Sequence, residues 1–187
     1  MKRSTKDRLY IALYARGGES LMPGGEDKYH WALLAGPKNE NAHSKGKRFH
    51  IKEIIESING RTQTRWIFEE RDIAMNPTAM ILVRIAIGKV MNLERAMAVL
   101  RDVPIRGNQF GWNCVWWVKE ALGLLREEGK TLSRTSATDW TWVRNASMGY
   151  VRRKEKEHRF DRDAPLGMFD MSRVATYDLL KTREIIP

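Results

Sequence analysis

Trp112-Asn113-Cys114-Val115-Trp116-Trp117-Val118-Lys119-Glu120-Ala121-Leu122 is the stretch on which the reading of this chain turns. Val118, Ala121, Leu122 and Leu125 recur at helical spacing, which predicts an amphipathic helix from Cys114 to about Glu128. Gly129 supplies the stop. Cys114 is the single cysteine among 187 residues, and it falls in the first turn of that helix.

Upstream, Tyr29-His30-Trp31-Ala32-Leu33-Leu34-Ala35 reads as a strand closed by Gly36-Pro37, and Lys47 to Ile51 as a shorter strand carrying His50. Arg8 to Ala15 is rich in strand formers, Thr64 to Glu70 is a further strand, and Met80 to Val90 alternates Val83, Ile85 and Ile87 with Arg84, Ala86 and Gly88. Asn39 to Lys47 reads as a polar loop or hairpin connection. Lys52 to Asn59 reads equally as strand or loop, ended by Gly60. Asn92 is a plausible N-cap for a helix to Arg101, and Thr138 or Asp139 opens another to Ala146. The expected fold is α+β, an antiparallel sheet carrying both histidines with helices packed on it. The expected division is a domain over 1–146 and a charged C-terminal extension over 147–187, packed on the domain or partly mobile. The run Arg152 to Arg159 shows no apolar periodicity.

Hydrophobic residues make up 42% and charged residues 30%, enough for a core and against global disorder. One cysteine forms no internal disulfide, and the opening Met1-Lys2-Arg3-Ser4-Thr5-Lys6-Asp7-Arg8 is polar rather than a secretory signal, so a reducing cytoplasmic, intracellular setting is expected. The longest apolar run, Ala79 to Val90, is interrupted by Arg84, so no transmembrane segment is expected. Net charge is +10, gathered in residues 1–50 and 144–162. Weak, salt-sensitive polyanion binding is expected from it.

The chemistry open to a thiol in a first helical turn is specific. Free helix amides stabilise a thiolate and could bind an acyl oxyanion. A histidine can accept the thiol proton, and a further group can orient that imidazole. Cys114, His30 and His50 are the residue types for these roles. Spacing does not bring them together, and a lone cysteine is commonly a small core residue. His43 and His158 lie in polar stretches and read as solvated, and Glu69-Glu70-Arg71-Asp72 as a solvated strand end. No H-E-x-x-H, Cys/His cluster or Gly-rich phosphate loop is present, so neither a metal nor a cofactor is expected.

His30-Trp31-Ala32-Leu33-Leu34-Ala35-Gly36, then Phe49-His50-Ile51, then Asn113-Cys114, resembles the lecithin retinol acyltransferase and H-Ras-like suppressor families, part of the permuted papain-like group that includes NlpC-type peptidases. Their histidines precede the cysteine, the reverse of papain-type order. After Asn-Cys they read Glu-His-Phe, where this chain reads Val115-Trp116-Trp117. The resemblance implies a circularly permuted papain-like fold, Cys114 as nucleophile, His30 as base and His50 as orienting residue. Asn113, Trp31 and Trp112 would shape the site or its oxyanion hole. It also implies an acyl-thioester intermediate. The whole chain is similar to an uncharacterised fungal family of unknown function, through Tyr29-His30-Trp31-Ala32-Leu33, Gly36-Pro37-Lys38, Trp66-Ile67-Phe68-Glu69-Glu70 and Asn113-Cys114-Val115-Trp116-Trp117-Val118.

The expected activity is therefore a cysteine hydrolase or acyltransferase with a small-molecule or peptide acyl substrate. The donor is expected to be soluble, since Met171 to Pro187 carries Arg173, Asp178, Lys181, Arg183 and Glu184. The alternative is a non-catalytic binding protein on the same fold, with an acidic or nucleic-acid partner. An enzyme needs an accessible thiol beside a histidine nitrogen, whereas a binding protein can bury it behind Trp116 or Trp117.

Overall fold

The computed structural model describes residues 7–187; Met1 to Lys6, part of the stretch read as lacking a signal, lie outside the described residues. β1 (Arg8–Ala15), β2 (Tyr29–Gly36), β3 (Lys45–Ile58), β4 (Arg61–Ala74) and β5 (Ile81–Lys89) come first in the chain. α1 (Leu93–Arg101), α2 (Cys114–Glu128) and α3 (Trp140–Lys156) follow, then β6 (Ala175–Asp178) and β7 (Arg183–Ile186). The seven strands form one sheet in the order β4-β3-β2-β1-β5-β6-β7. The expected antiparallel sheet is corrected to a mixed one, because β6 runs parallel to β5. Two parallel neighbours need a long crossover, and the three helices supply it.

Period-two alternation gives the sheet its two faces. Leu9, Ile11, Leu13, Trp31, Leu33, Phe49, Ile51, Val83, Ile85 and Ile87 point into one core with Val118, Ala121, Leu122 and Leu125 of α2. α2 lies over β2 and β3, α3 over β1 and β5, and α1 against α2. The opposite face carries Tyr10, Ala12, Tyr14, Ala32, Leu34 and Ala86, closed by Met75 rather than by a helix.

Local signals set the helix ends. Asn92 accepts from Arg95 N–H, Asn113 from Val115 N–H and Asp139 from Trp142 N–H, three side-chain N-caps. Gly129 closes α2 at φ 73°. Of the stretch Lys52 to Asn59, all but Asn59 is strand, because Asn59 and Gly60 form the turn of a long β3–β4 hairpin with φ of 53° and 74°. Two positive-φ residues of type Asn-Gly match the twist of the flanking strands.

The boundary expected at residue 146 falls inside α3, and the segment expected to be an extension supplies β6 and β7. The charge run hid this because Lys154 occupies the inner face of α3 at 1% exposure. Its ammonium pairs with Glu157 and with Glu184 of β7 at 2.6 Å. A paired charge in an apolar stripe breaks the hydrophobic pattern without breaking the helix.

A chain ended after Arg173 loses Val174, Ala175, Leu179 and Ile186, all buried. At about 1.5–3 kcal/mol per buried aliphatic side chain, the expected loss is on the order of 5 kcal/mol, comparable to a whole domain's stability. Urea denaturation reads it: an unchanged midpoint would show that β6 and β7 are accessory.

Candidate functional site

β2 and β3 pair only from Leu33↔Phe49 to Ala35↔Lys47, and the strands then part. Backbone groups alternate across a strand, so Trp31 N–H faces the gap that opens. It donates instead to Cys114 Sγ at 3.5 Å. The first turn of α2 therefore plugs the split between the strands. The Trp31 ring is fully buried, donates through Nε1 to Glu26 O at 2.8 Å and packs against Trp140 at 5.6 Å.

His30 and His50 meet on the other side of the sheet. His30 lies beside Tyr14, with ring centroids 6.1 Å apart. His30 Nε2 and His50 Nδ1 are 2.7 Å apart, and His50 Nε2 lies 2.8 Å from Glu69 Oε2. Hydrogen bonds from His50, then Lys52 and Arg48, push Glu69 down to about 2, so it is an ionised acceptor. His50 must then donate through Nε2 and accept through Nδ1, and His30 must donate through Nε2. The chain leaves His30 Nδ1 as an unprotonated lone pair, with no hydrogen bond to it among the described residues.

Glu69 was missed as a site residue. The hairpin turn carried the signal: counting outward from Asn59-Gly60 sets His50 opposite Glu69. The carboxylate is no solvated strand end, since Arg48, His50 and Lys52 all hold it.

The thiol does not join this chain; among the described residues no hydrogen bond links Cys114 Sγ to either histidine. Cys114 is 0% exposed. Burial pushes its pKa up, outweighing the amide of Trp31, the charge of Arg16 and the amides of Cys114 and Val115. The low-pKa thiol expected from a helix start is thus corrected: desolvation of the anion exceeds what the first-turn amides return. Burial, with the neighbouring His50, Arg16 and Arg48, pushes His30 down to about 3. Burial also lowers His50, against the opposing pull of Glu69. In this state thiol and imidazoles are neutral at pH 7.

Of the residues expected to shape the site, Asn113 is the cap of α2, and its Nδ2 touches Met22 Sδ at 3.6 Å. Trp112 packs edge-on to Trp66 and donates to Glu120 at 3.3 Å. Trp117 is fully buried and Trp116 is 39% exposed. The segment before β2 is tied down by Asp27, which accepts from Ser20 and from the amides of Leu21 at 2.8 Å and Met22 at 3.1 Å. His43 is exposed, and His158 is exposed and pairs with Asp161 at 2.9 Å. Among the described residues no helix is long and apolar enough to cross a membrane.

Fold and site together define an α+β protein with a buried thiol at a strand split, backed by a His–His–Glu chain across the sheet. The chain belongs to DUF6914, a family of unknown function that matches it over residues 6–186. Comparison with curated proteins and with solved structures returns no match.

Two measurements follow. Native Cys114 should alkylate with iodoacetamide far more slowly than the unfolded chain at pH 7, with denaturant removing the difference; equal rates would refute the burial. His30, ordinarily near 6.5, is held near 3, so between those values the unfolded chain binds more protons than the folded one. Its contribution to stability is complete above pH 6.5 and is lost as pH falls toward 3. His30→Gln should flatten the decline of urea stability between pH 6.5 and 4, and an unaltered slope would show that the half-buried His30 is not held neutral by the fold.

Proposed function

We propose that this protein is a cysteine-dependent hydrolase or acyltransferase acting on an amide, ester or thioester, with Cys114 as nucleophile and His30 as base. The observation that carries the reading is the directional chain Glu69–His50–His30. It ends in a free imidazole nitrogen on the residue next to the amide that holds the sulfur. The order His, His, Cys and the strand–helix placement support a circularly permuted papain-like relation.

His30 lies across the sheet from Cys114, so for it to act as base the split between β2 and β3 must open far enough to bring Nδ1 to Sγ; Nδ1 then takes the thiol proton as Sγ bonds to the acyl carbon. Collapse of the adduct expels the leaving group, which takes the proton back from His30. Water or another acceptor then loses a proton to His30 as it attacks the thioester, and the returning proton restores the thiol. The closed state must open first. Met22, in the segment before β2, packs on the core and touches Asn113, so a substrate that reaches Cys114 from that side must displace it. Opening hydrates the pair and relaxes the desolvation that holds His30 down and Cys114 up. The acyl donor in this reading is a small, soluble molecule or peptide.

A second reading, a non-catalytic binding protein on the same fold, draws on the 0% exposure of Cys114. Incubation with p-nitrophenyl acetate and a panel of thioesters, with mass spectrometry of the intact protein, separates the two. The enzyme reading expects an acyl adduct on Cys114, none in Cys114→Ala, and turnover reduced about 10²–10⁴-fold in His30→Ala. Glu69→Gln, a positioning change, should reduce turnover by roughly tenfold or more and shift its pH profile. Absence of any Cys114 adduct in the native protein would replace the enzyme with the binding protein.

A further inference from the structure

A groove of about 670 Å³ lies away from the thiol, on the sheet face that no helix covers. Its floor is Tyr10 of β1, Ala86 and Gly88 of β5 and Thr176 of β6. One rim is the segment after α2. Ser133 N–H bonds Lys89 O at 2.9 Å and Ala137 N–H bonds Ile87 O at 2.7 Å, which presents Ser133 and Thr135 to the groove. Gly88 permits this approach, since a Cβ there would stand 2.2 Å from Ser136 Oγ.

The lining is cationic beyond local balance. Arg8, Lys38, Lys89, Arg173, Lys181 and Arg183 all border the groove. Its two carboxylates are already engaged. Glu40 takes both arms of the buried Arg84 at 2.8 and 2.9 Å. Asp178 accepts the amides of Leu180 and Lys181 and lies 3.8 Å from Lys181 Nζ. Lys38, Lys89, Arg173 and Arg183 form no ion pair among the described residues. Arg84 Nε, at the groove wall, is buried without a hydrogen-bond partner. Like charges gathered in a concave site repel one another and focus a positive potential that an anion relieves. Leu180 and Ile185 add an apolar margin.

We propose that this groove binds a small organic phosphate, its phosphoryl oxygens held by the unpaired lysines and arginines and by Ser133 or Thr135, its carbon skeleton laid on Leu180 and Ile185. Phosphate is the anion whose several oxygens use many cationic donors at once. The volume suits a small molecule, for which pockets run about 300–1,000 Å³. A nucleic-acid strand would need a basic track studded with exposed aromatic rings. The exposed Phe110, Trp116 and Trp142 are not among the groove's lining residues. The site is independent of the thiol chemistry, as it contains neither Cys114 nor the histidines.

Isothermal titration at physiological salt with ATP, inorganic pyrophosphate and adenosine tests the assignment. ATP and pyrophosphate should bind one to one and adenosine should not. Lys89→Glu with Arg183→Glu should weaken both anions at least about tenfold, while Arg61→Glu with Arg126→Glu, the same charge change elsewhere, should leave them within about twofold. Lys38→Ala with Arg173→Ala, on the flanking loops, repeats the test without touching a strand, and amide shifts at Gly88 and Thr176 locate the ligand. Three results overturn the proposal: no binding of either anion, equal losses in the two charge-reversed proteins, or tighter binding of a thymidine 20-mer than of ATP.

Discussion

One backbone amide sets the terms for the thiol site. Where β3 leaves β2, Trp31 N–H loses the strand that would have accepted it. A buried donor without a partner costs about 1–3 kcal/mol, so something must come to it. Cys114 does, and it brings the first turn of α2 into the split. The same residue puts its indole under α3 against Trp140, so one position ties β2 to two helices. The split is closed by a helix start through a weak N–H to sulfur contact and not by a strand ladder.

The period of the strand decides the rest. Trp31 faces the helices, so His30 faces away, and His50 follows it because Phe49 and Ile51 are in the core. The histidines therefore collect on the bare face of the sheet. There the cross-strand partner is a carboxylate and the tautomers fall into one direction. That same face, toward β6 and β7, holds the basic groove. The helix face is mainly an apolar core; the other face carries the histidine chain and the basic groove.

Electrostatics explains why the thiol site is quiet as it stands. The helix-start amides do lower the cost of a thiolate, but a sulfur with no exposure loses more in hydration than they restore. His30 is moved the opposite way by the same cause, since burial always penalises the charged form. A thiolate–imidazolium pair here would need water to reach and hydrate both groups.

The sequence by itself determined the local devices. Asn92 as a cap, a helix start at Thr138 or Asp139, Gly129 as a stop, the strand at Tyr29 to Ala35 and the first-turn position of Cys114 are all short-range chemistry, legible because each rests on neighbours within a few residues. The Asn59-Gly60 turn held the His50–Glu69 pairing as well, although an exposed hairpin arm alternates too weakly for its strands to stand out. Only the tertiary structure decided three things. Lys154 belongs to a core face because Glu184, thirty residues on, neutralises it. The tail belongs to the sheet because β5 had an open edge for β6 to join in parallel. The thiol is buried and apart from the histidine chain because two strands part at one register position, and no spacing along the chain encodes where strands separate.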